Sequence, residues 1–107
     1  MEQYSWDRVP QVEVSPTIRR QAIHTPSLTM TRIVFQKGAV VPLHQHVNEQ
    51  LTMVVSGRLQ LEVLGSKTAL GPGEIALLPS DVPHAAEALE DTVVIDVFTP
   101  PMSQWRS

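Results

Sequence analysis

The sequence of 107 residues contains no cysteine. This absence excludes disulfide bonds, thiolate ligands for a metal ion and cysteine nucleophiles together. Basic residues are also few, since 8 lysines and arginines stand against 11 acidic residues, and the formal net charge is −3. Because no run of basic residues occurs, we expect no nucleic-acid partner.

Long hydrophobic runs are missing as well. No apolar stretch approaches the ~20 residues of a membrane span, and the N-terminus has neither the basic nor the apolar region of a signal peptide. We therefore expect a cytoplasmic protein that does not associate with membranes. With 42% hydrophobic residues the chain can form a core, and its length predicts one domain over residues 1–107.

The sequence also lacks convincing helical periodicity and instead shows the patterns of β-strands. Short runs rich in β-branched residues alternate with turn residues along the whole chain. Leu59, Leu61 and Val63 alternate with polar residues, which is the period of a strand with one buried face. Most of the nine prolines stand where strands should end. The pattern predicts an all-β sandwich or barrel.

The two ends of the chain are predicted to form arms. The first dozen residues and the residues from Met102 onward lie outside the strand pattern, and each end carries one tryptophan, Trp6 or Trp105. Such arms cover a sheet edge or reach a second subunit. Packing within one chain is the alternative, but we expect a homodimer built by exchange of arms.

Three of the four histidines stand at fixed offsets from glycines and a proline. Residues two apart on a strand share a face, so His44 and His46 can bind one ion together. Gln50 adds a carbonyl oxygen, and a turn after Pro79 delivers His84. Imidazole and amide ligands predict one divalent transition metal, with Ni, Zn, Fe, Mn and Cu all open. The fourth histidine, His24, is expected to be an ordinary structural residue.

The spacing of these residues resembles two motifs of the cupins. The first motif reads glycine, five residues, His-x-His, three or four residues, glutamate, six residues and glycine. Residues 38–57 match it except that Gln50 stands at the glutamate position, and Glu49 is the alternative ligand. The second motif is matched by Gly73, Pro79 and His84, whereas Asp81 and Ala88 replace its glycine and asparagine. The resemblance spans about residues 30–98. It implies a double-stranded β-helix barrel of the jelly-roll kind with a metal inside.

A closer resemblance is to the small pectin-degradation cupins, carried by residues 38–50, 83–91 and 96–101. Those enzymes bind a metal through two histidines, a glutamine and a third histidine. They convert 4,5-unsaturated monouronates, released from pectin or alginate, to the linear keto sugar acid. The resemblance implies that His44, His46, Gln50 and His84 bind the metal. It also implies that Asp96 is the acid/base residue, with Phe98 as a wall of the pocket.

The residues themselves agree with a functional Asp96, because a carboxylate amid apolar residues of a strand is costly to bury without a partner. If its face is the barrel interior, burial would raise its pKa for proton transfer. Alternatively, Asp96 pairs with an arginine such as Arg20 or Arg32. Arg32 and Met102 complete the expected substrate-binding residues with Phe98. Met102 is a departure, because the pectin-degradation cupins have an arginine there that can bind the substrate carboxylate.

These observations leave three functions open for a small-molecule ligand. The first is a metal-dependent isomerase or lyase that acts on an unsaturated uronate or a similar sugar acid. The second is an oxygen-dependent metal enzyme with a more apolar substrate, which Met102 favours. The third is a ligand-binding domain without catalysis.

Overall fold

The structure, a computed structural model, describes residues 1–102. These residues form one short 3₁₀-helix, Trp6–Arg8, and ten β-strands. The strands are β1 (Val12–Ser15), β2 (Ile18–His24), β3 (Thr29–Phe35), β4 (Val40–His44), β5 (Glu49–Ser56), β6 (Leu59–Val63), β7 (Ser66–Leu70), β8 (Ile75–Leu78), β9 (His84–Ala88) and β10 (Thr92–Thr99). No helix among the described residues is long and apolar enough to cross a membrane.

The strands form two antiparallel sheets. One sheet has six strands in the order β1-β2-β3-β10-β5-β8, and the other has four in the order β4-β9-β6-β7. Neighbours in both sheets are mostly distant in sequence, as β10 is between β3 and β5 and β9 is between β4 and β6. This strand order confirms the predicted all-β jelly-roll architecture.

The hydrophobic core fills one part of the space between the sheets. Strand alternation directs every second side chain inward, and in β10 it buries Thr92, Val94, Asp96 and Phe98. Val94 of this inner face belongs to the core cluster, whose other members are Ile18, Phe35, Ala39, Val54, Leu59, Leu61, Leu70 and Ala88. On β9 the core residue Ala88 is at one end and His84 is at the other. The strands therefore carry the apolar core at one end of the barrel and polar side chains at the opposite end.

Gly57, the last residue of the first motif, is required by the turn that joins β5 to β6. Its φ angle is +86°, in the left-handed region that favours glycine. A Cβ atom at this position would also overlap the backbone oxygen of Asp91 and the side chain of Thr92. The motif glycine therefore allows the β5–β6 turn to pack directly against the start of β10.

The N-terminal arm packs on its own barrel. The Nε2 atom of Gln21 donates hydrogen bonds to the backbone oxygens of Trp6 (2.6 Å) and Val9 (2.9 Å). Strand β1 then pairs with β2 of the same chain and forms the edge of the six-stranded sheet. Of the predicted C-terminal arm, Met102 is described, but Trp105 lies outside the described residues.

Candidate metal and active site

Three histidines predicted to bind a metal converge at the polar end of the barrel. His44 ends β4, His84 begins β9, and the two are register partners across the four-stranded sheet. His46 follows in the turn that leads to β5. One ligand nitrogen of each ring lies within 4.8 Å of the other two. Three imidazole nitrogens at this separation are arranged as ligands of a single transition-metal ion.

Hydrogen bonds to the backbone set the tautomer of all three rings. Each Nδ1 atom contacts the carbonyl oxygen of a residue two positions away in sequence. The pairs are His44 with Pro42 at 2.8 Å, His46 with Asn48 at 2.9 Å and His84 with Val82 at 2.9 Å. Because a carbonyl oxygen only accepts, Nδ1 must carry the proton. When a ring with this tautomer binds a metal, it does so through the lone pair of its Nε2 atom.

The surroundings of His84 favour its neutral form. Burial lowers its pKa, the hydrogen bond to Val82 acts in the opposite direction, and the nearby rings of His44 and His46 lower it further. Its Nε2 atom is buried and has no hydrogen-bond partner in the structure. A buried acceptor without a partner is costly. A bound cation would satisfy this atom.

Gln50 completes the candidate donor set. It lies on the inner face of β5, and its Oε1 atom is 3.1 Å from Nε2 of His46. Its Nε2 atom donates to Oγ1 of Thr52 at 2.8 Å, which directs the amide oxygen toward the histidines. Three imidazole nitrogens and one amide oxygen fit a divalent transition metal. Glu49, the alternative ligand, is exposed on the opposite face of β5.

Asp96 lies next to this donor set, as expected for an inward-facing residue of β10. It is opposite Thr31 on β3 and Thr52 on β5, and only 5% of its surface is exposed. Burial raises its pKa to about 7, although hydrogen bonds with Thr52 and Gln50 act to lower it. Its Oδ1 atom has no hydrogen-bond partner in the structure. Asp96 therefore holds a proton near neutral pH and has one oxygen available to a bound molecule.

Phe98 and Met102 form part of the cavity wall, where the sequence predicted substrate contacts. The ring centroids of Phe98 and His46 are 5.8 Å apart in an edge-to-face arrangement. Met102 is buried, and its backbone N–H donates to Oγ1 of Thr29 at 2.9 Å. The side-chain amide of Asn48 donates to the backbone oxygens of Pro100 and Pro101. These bonds attach the segment after β10 to the turn that carries His46.

Arg32 is not brought to this site. Its Nη1 atom donates to Oε1 of Gln21 at 3.2 Å. Gln21 in turn binds backbone oxygens of the N-terminal arm, so both side chains lie on the outer face of the six-stranded sheet. Of the arginines within residues 1–102, Arg20 on β2 lines the cavity, and burial lowers its pKa. The sequence indicated Arg20 only as an alternative ion-pair partner of Asp96. Arg20 is two residues from the buried Ile18 on β2, and residues two apart on a strand lie on the same face. This spacing could have indicated that Arg20 faces inward.

One cavity, open to solvent, connects these residues. Its volume is about 290 Å³, at the lower end of the range for small-molecule sites. The histidines and Gln50 line one end, and the walls are largely apolar side chains such as Leu61, Leu78 and Val94. Apart from histidine, the ionisable residues that line it within the described part of the chain are Arg20 and Asp96.

Asp81 replaces a glycine of the second motif, and it adopts the backbone conformation that the turn before His84 requires. Its φ angle is +60°, in the left-handed region that aspartate tolerates better than most residues. Its backbone N–H donates to the backbone oxygen of His46 at 2.8 Å. The turn thus links the segments that carry His46 and His84, and this departure from the motif leaves the geometry of the site intact.

Residues 31–98 match the cupin-domain family model, and the chain therefore belongs to the cupin family. It is similar to KdgF from Halomonas sp., with 37% identity over 94% of this chain and 95% of that chain and a TM-score of 0.88. It is also similar to an RmlC-like cupin from Shewanella frigidimarina, with 26% identity over 99% and 97% of the two chains and a TM-score of 0.91.

Oxalate decarboxylase from Lactobacillus farciminis shares the fold at 15% identity, with a TM-score of 0.82 over 92% of this chain and 32% of that chain. No curated protein is significantly similar to the chain. The match to KdgF confirms the predicted resemblance to a pectin-degradation cupin.

Proposed function

We propose that this cupin is a metal-dependent enzyme that converts an unsaturated uronate, or a similar sugar acid, to its linear keto form. The observation that carries the proposal is the placement of Asp96, whose pKa is raised to about 7, beside a three-histidine donor set in one cavity. The similarity to KdgF supports the same assignment.

His44, His46, His84 and Gln50 would hold the metal, because their lone pairs face one another and their other polar atoms are already hydrogen-bonded. A divalent ion in this position would polarise and orient oxygen atoms of the substrate. Four neutral ligands leave its charge uncompensated, which favours an anionic or hydroxyl-rich ligand in the cavity.

Asp96 would transfer the protons that the isomerisation requires. In the cyclic substrate the C1 hydroxyl loses its proton, and a carbonyl forms at C1 as the bond from C1 to the ring oxygen breaks. The resulting enol at C5 gains a proton at C4 and loses its hydroxyl proton, which gives the ketone. No atom is gained or lost overall. A carboxyl group with a pKa of about 7 can both accept and donate a proton near neutral pH.

The experiment follows the near-ultraviolet absorbance of the carbon–carbon double bond of an unsaturated monouronate. Protein loaded in turn with Ni, Zn, Mn, Fe or Cu should abolish this absorbance. Asp96→Asn keeps the shape and should retain the metal, but it should lower the rate by about 10²-fold or more because it cannot exchange a proton. Unchanged absorbance with fully metallated wild-type protein would contradict the proposal.

A second function is favoured by Met102 and by the apolar walls of the cavity. An oxygen-dependent metal enzyme with a more apolar substrate would use the same donor set without requiring proton transfer by Asp96. Oxygen uptake with the iron-, copper- or manganese-loaded protein would identify this function, whereas activity with Zn would argue against it.

We also propose that the protein is a homodimer, and the structure suggests a surface for it. Strand β8 is an edge of the six-stranded sheet, and its outward residues Ile75 and Leu77 are 60% and 56% exposed. They lie beside Met53 and Leu51 on β5, and the four residues from 75 to 78 carry no charge. Edge strands of monomers are usually protected by charges or proline. An antiparallel pairing of β8 with β8 of a second copy would cover this surface by two-fold symmetry.

A further inference from the structure

Arg20 has a position on β2 that distinguishes it from the arginine beside it. Successive side chains of a strand point to opposite faces. Ile18 and Arg20 face the cavity, whereas Arg19 faces outward and forms an ion pair with Glu13 at 3.5 Å on the exposed edge. Two adjacent arginines of the same strand therefore have different environments, and only one of them can contact a molecule inside the barrel.

The cavity is chemically suited to one anionic group near Arg20. Among the lining residues that the structure describes, Arg20 is the permanently charged cation and Asp96 is the carboxyl group. Since the surrounding walls are mostly apolar, they screen a charge inside the cavity less than water does. A guanidinium group binds a carboxylate through two parallel hydrogen bonds, which fixes the orientation of the ligand as well as its position.

The register of the six-stranded sheet orders the polar residues along the cavity. Gln50 is opposite Phe98, and Asp96 is two residues further along β10. Val94 is two residues beyond Asp96, and it is opposite Ile33, which in turn is opposite Arg20. Each step of two residues advances about 6.6 Å along a strand. The order along the cavity is therefore the metal-binding end, then Asp96, then Arg20.

We propose that Arg20 binds the carboxylate of an anionic sugar substrate and thereby makes the cavity selective for uronates. This inference rests on the proposed function, and it agrees with the order of the reacting atoms. In an unsaturated uronate the carboxylate is attached to C5, and C1 lies on the other side of the ring oxygen. With C1 toward the histidines and the carboxylate toward Arg20, C4 and C5 would lie near Asp96. A cation on β2 would then replace the family's arginine that is absent at Met102.

The test compares Arg20→Met with Arg19→Met, which removes the adjacent but outward-facing charge. Binding of galacturonate, a saturated uronate, to metal-loaded protein is measured by calorimetry beside galactose, which lacks the carboxylate. Arg20→Met should weaken galacturonate binding by about tenfold to a hundredfold, because it removes a charge-assisted hydrogen-bonded pair. It should leave galactose binding and metal content unchanged, and Arg19→Met should behave as the wild type.

Two further variants and a kinetic measurement complete the design. Arg20→Lys keeps the charge but loses the paired geometry, so it should recover part of the affinity. Arg20→Gln serves the same comparison if Arg20→Met does not fold. With the unsaturated monouronate, loss of Arg20 should raise KM more than it lowers kcat.

The outcomes separate this inference from the proposed function. If wild-type protein converts the uronate and Arg20→Met binds galacturonate equally well, the role of Arg20 is refuted and the proposed function stands. If wild-type protein binds galacturonate through Arg20 but converts no uronate, the anion site stands and the proposed reaction is refuted. If metal-loaded wild-type protein does not prefer galacturonate to galactose, the role of Arg20 is refuted.

Discussion

The Nε2 atom of His46 lies 3.1 Å from the Oε1 atom of Gln50, and in the imidazole tautomer with its proton on Nδ1 neither atom has a proton to donate. The proton of the imidazole is on Nδ1, where it is donated to the backbone oxygen of Asn48. The amide group of Gln50 is oriented by its hydrogen bond to Thr52. Two hydrogen-bond acceptors that face each other repel, whereas a cation between them would be attracted to both.

We therefore expect a bound metal to stabilise the fold. A ligand at 100 times its dissociation constant stabilises the native state by about 2.7 kcal/mol. Addition of Ni or Zn to chelator-treated protein should raise the Tm, and elemental analysis should give one ion per chain. His84→Ala should abolish both effects. His24→Gln is the matched control, since it alters a histidine outside the donor set. A metal-induced rise in Tm that survives His84→Ala would contradict the assignment.

Asp96 should make the stability of the metal-free protein decrease with increasing pH. Its pKa is raised from 3.8 in the unfolded chain to about 7 in the native state. The native state thus retains a proton that the unfolded chain loses, so the stability is fully present below pH 3.8 and is lost as the pH rises through 7. Between pH 5 and pH 8 this loss is about 2–3 kcal/mol at 1.36 kcal/mol per pH unit.

The measurement for this prediction is urea unfolding in the presence of a chelator at pH 5 and pH 8. His84 has a lowered pKa and opposes the trend, because its protonation at low pH favours the unfolded chain. The comparison with Asp96→Asn removes this contribution, since both proteins keep His84. The difference in stability between wild type and Asp96→Asn should change by about 2–3 kcal/mol between the two pH values. An equal difference at both pH values would show that Asp96 is ionised in the native state.

Gly57→Ala should destabilise the fold far more than Gly65→Ala. Both glycines have positive φ angles, +86° and +80°, so each substitution carries the left-handed penalty of about 1–2 kcal/mol. At Gly65 a Cβ atom meets nothing within 4 Å, whereas at Gly57 it overlaps the backbone of Asp91 and Thr92. We expect a further loss of about 2 kcal/mol or more for Gly57→Ala in denaturant unfolding. Equal losses would show that the turn can move away from β10.

Leu77→Lys should convert the proposed dimer into a monomer. The substitution places a charge at the centre of the apolar surface on β8, where a second copy would have to bury it. Leu64→Lys is the control, because Leu64 is 78% exposed in the β6–β7 turn and lies outside β5 and β8. Light scattering after size exclusion should give twice the chain mass for wild type and Leu64→Lys. A dimer that persists in Leu77→Lys would exclude this surface.

Much of the candidate site could be predicted because its residues follow local rules. The spacing of His44 and His46 places them close together by strand geometry alone. Alternation places Gln50 and its neighbour Glu49 on opposite faces of the strand, and the motif spacing favoured Gln50 as the inward residue. Gly57 was identified from the motif, and its φ angle gives the physical reason for a glycine there. These features depend on a few consecutive residues, so they can be predicted from the sequence.

Long-range contacts decide on which face of the six-stranded sheet Arg20 and Arg32 lie. On β3 the polar Thr29 and Thr31 are fully buried while Met30 is 36% exposed, so polarity does not reveal which face is inside. The outer face is covered by the N-terminal arm through Gln21, which gives Arg32 a partner away from the cavity. A shift of one residue exchanges the two faces of a strand. Residue type alone therefore did not show that Arg20, rather than Arg32, lines the cavity.

The sequence by itself determined the family, the strand-rich fold and the three histidines that converge, because motif spacing and strand period are local properties. Only the tertiary structure decided that Arg20 faces the cavity, that Asp96 is buried with a raised pKa and that the backbone N–H of Met102 donates to Thr29. Each of these depends on which strands become neighbours, and β10 pairs with β3 and β5 from distant parts of the chain. Burial and the chemistry that it changes arise from that pairing.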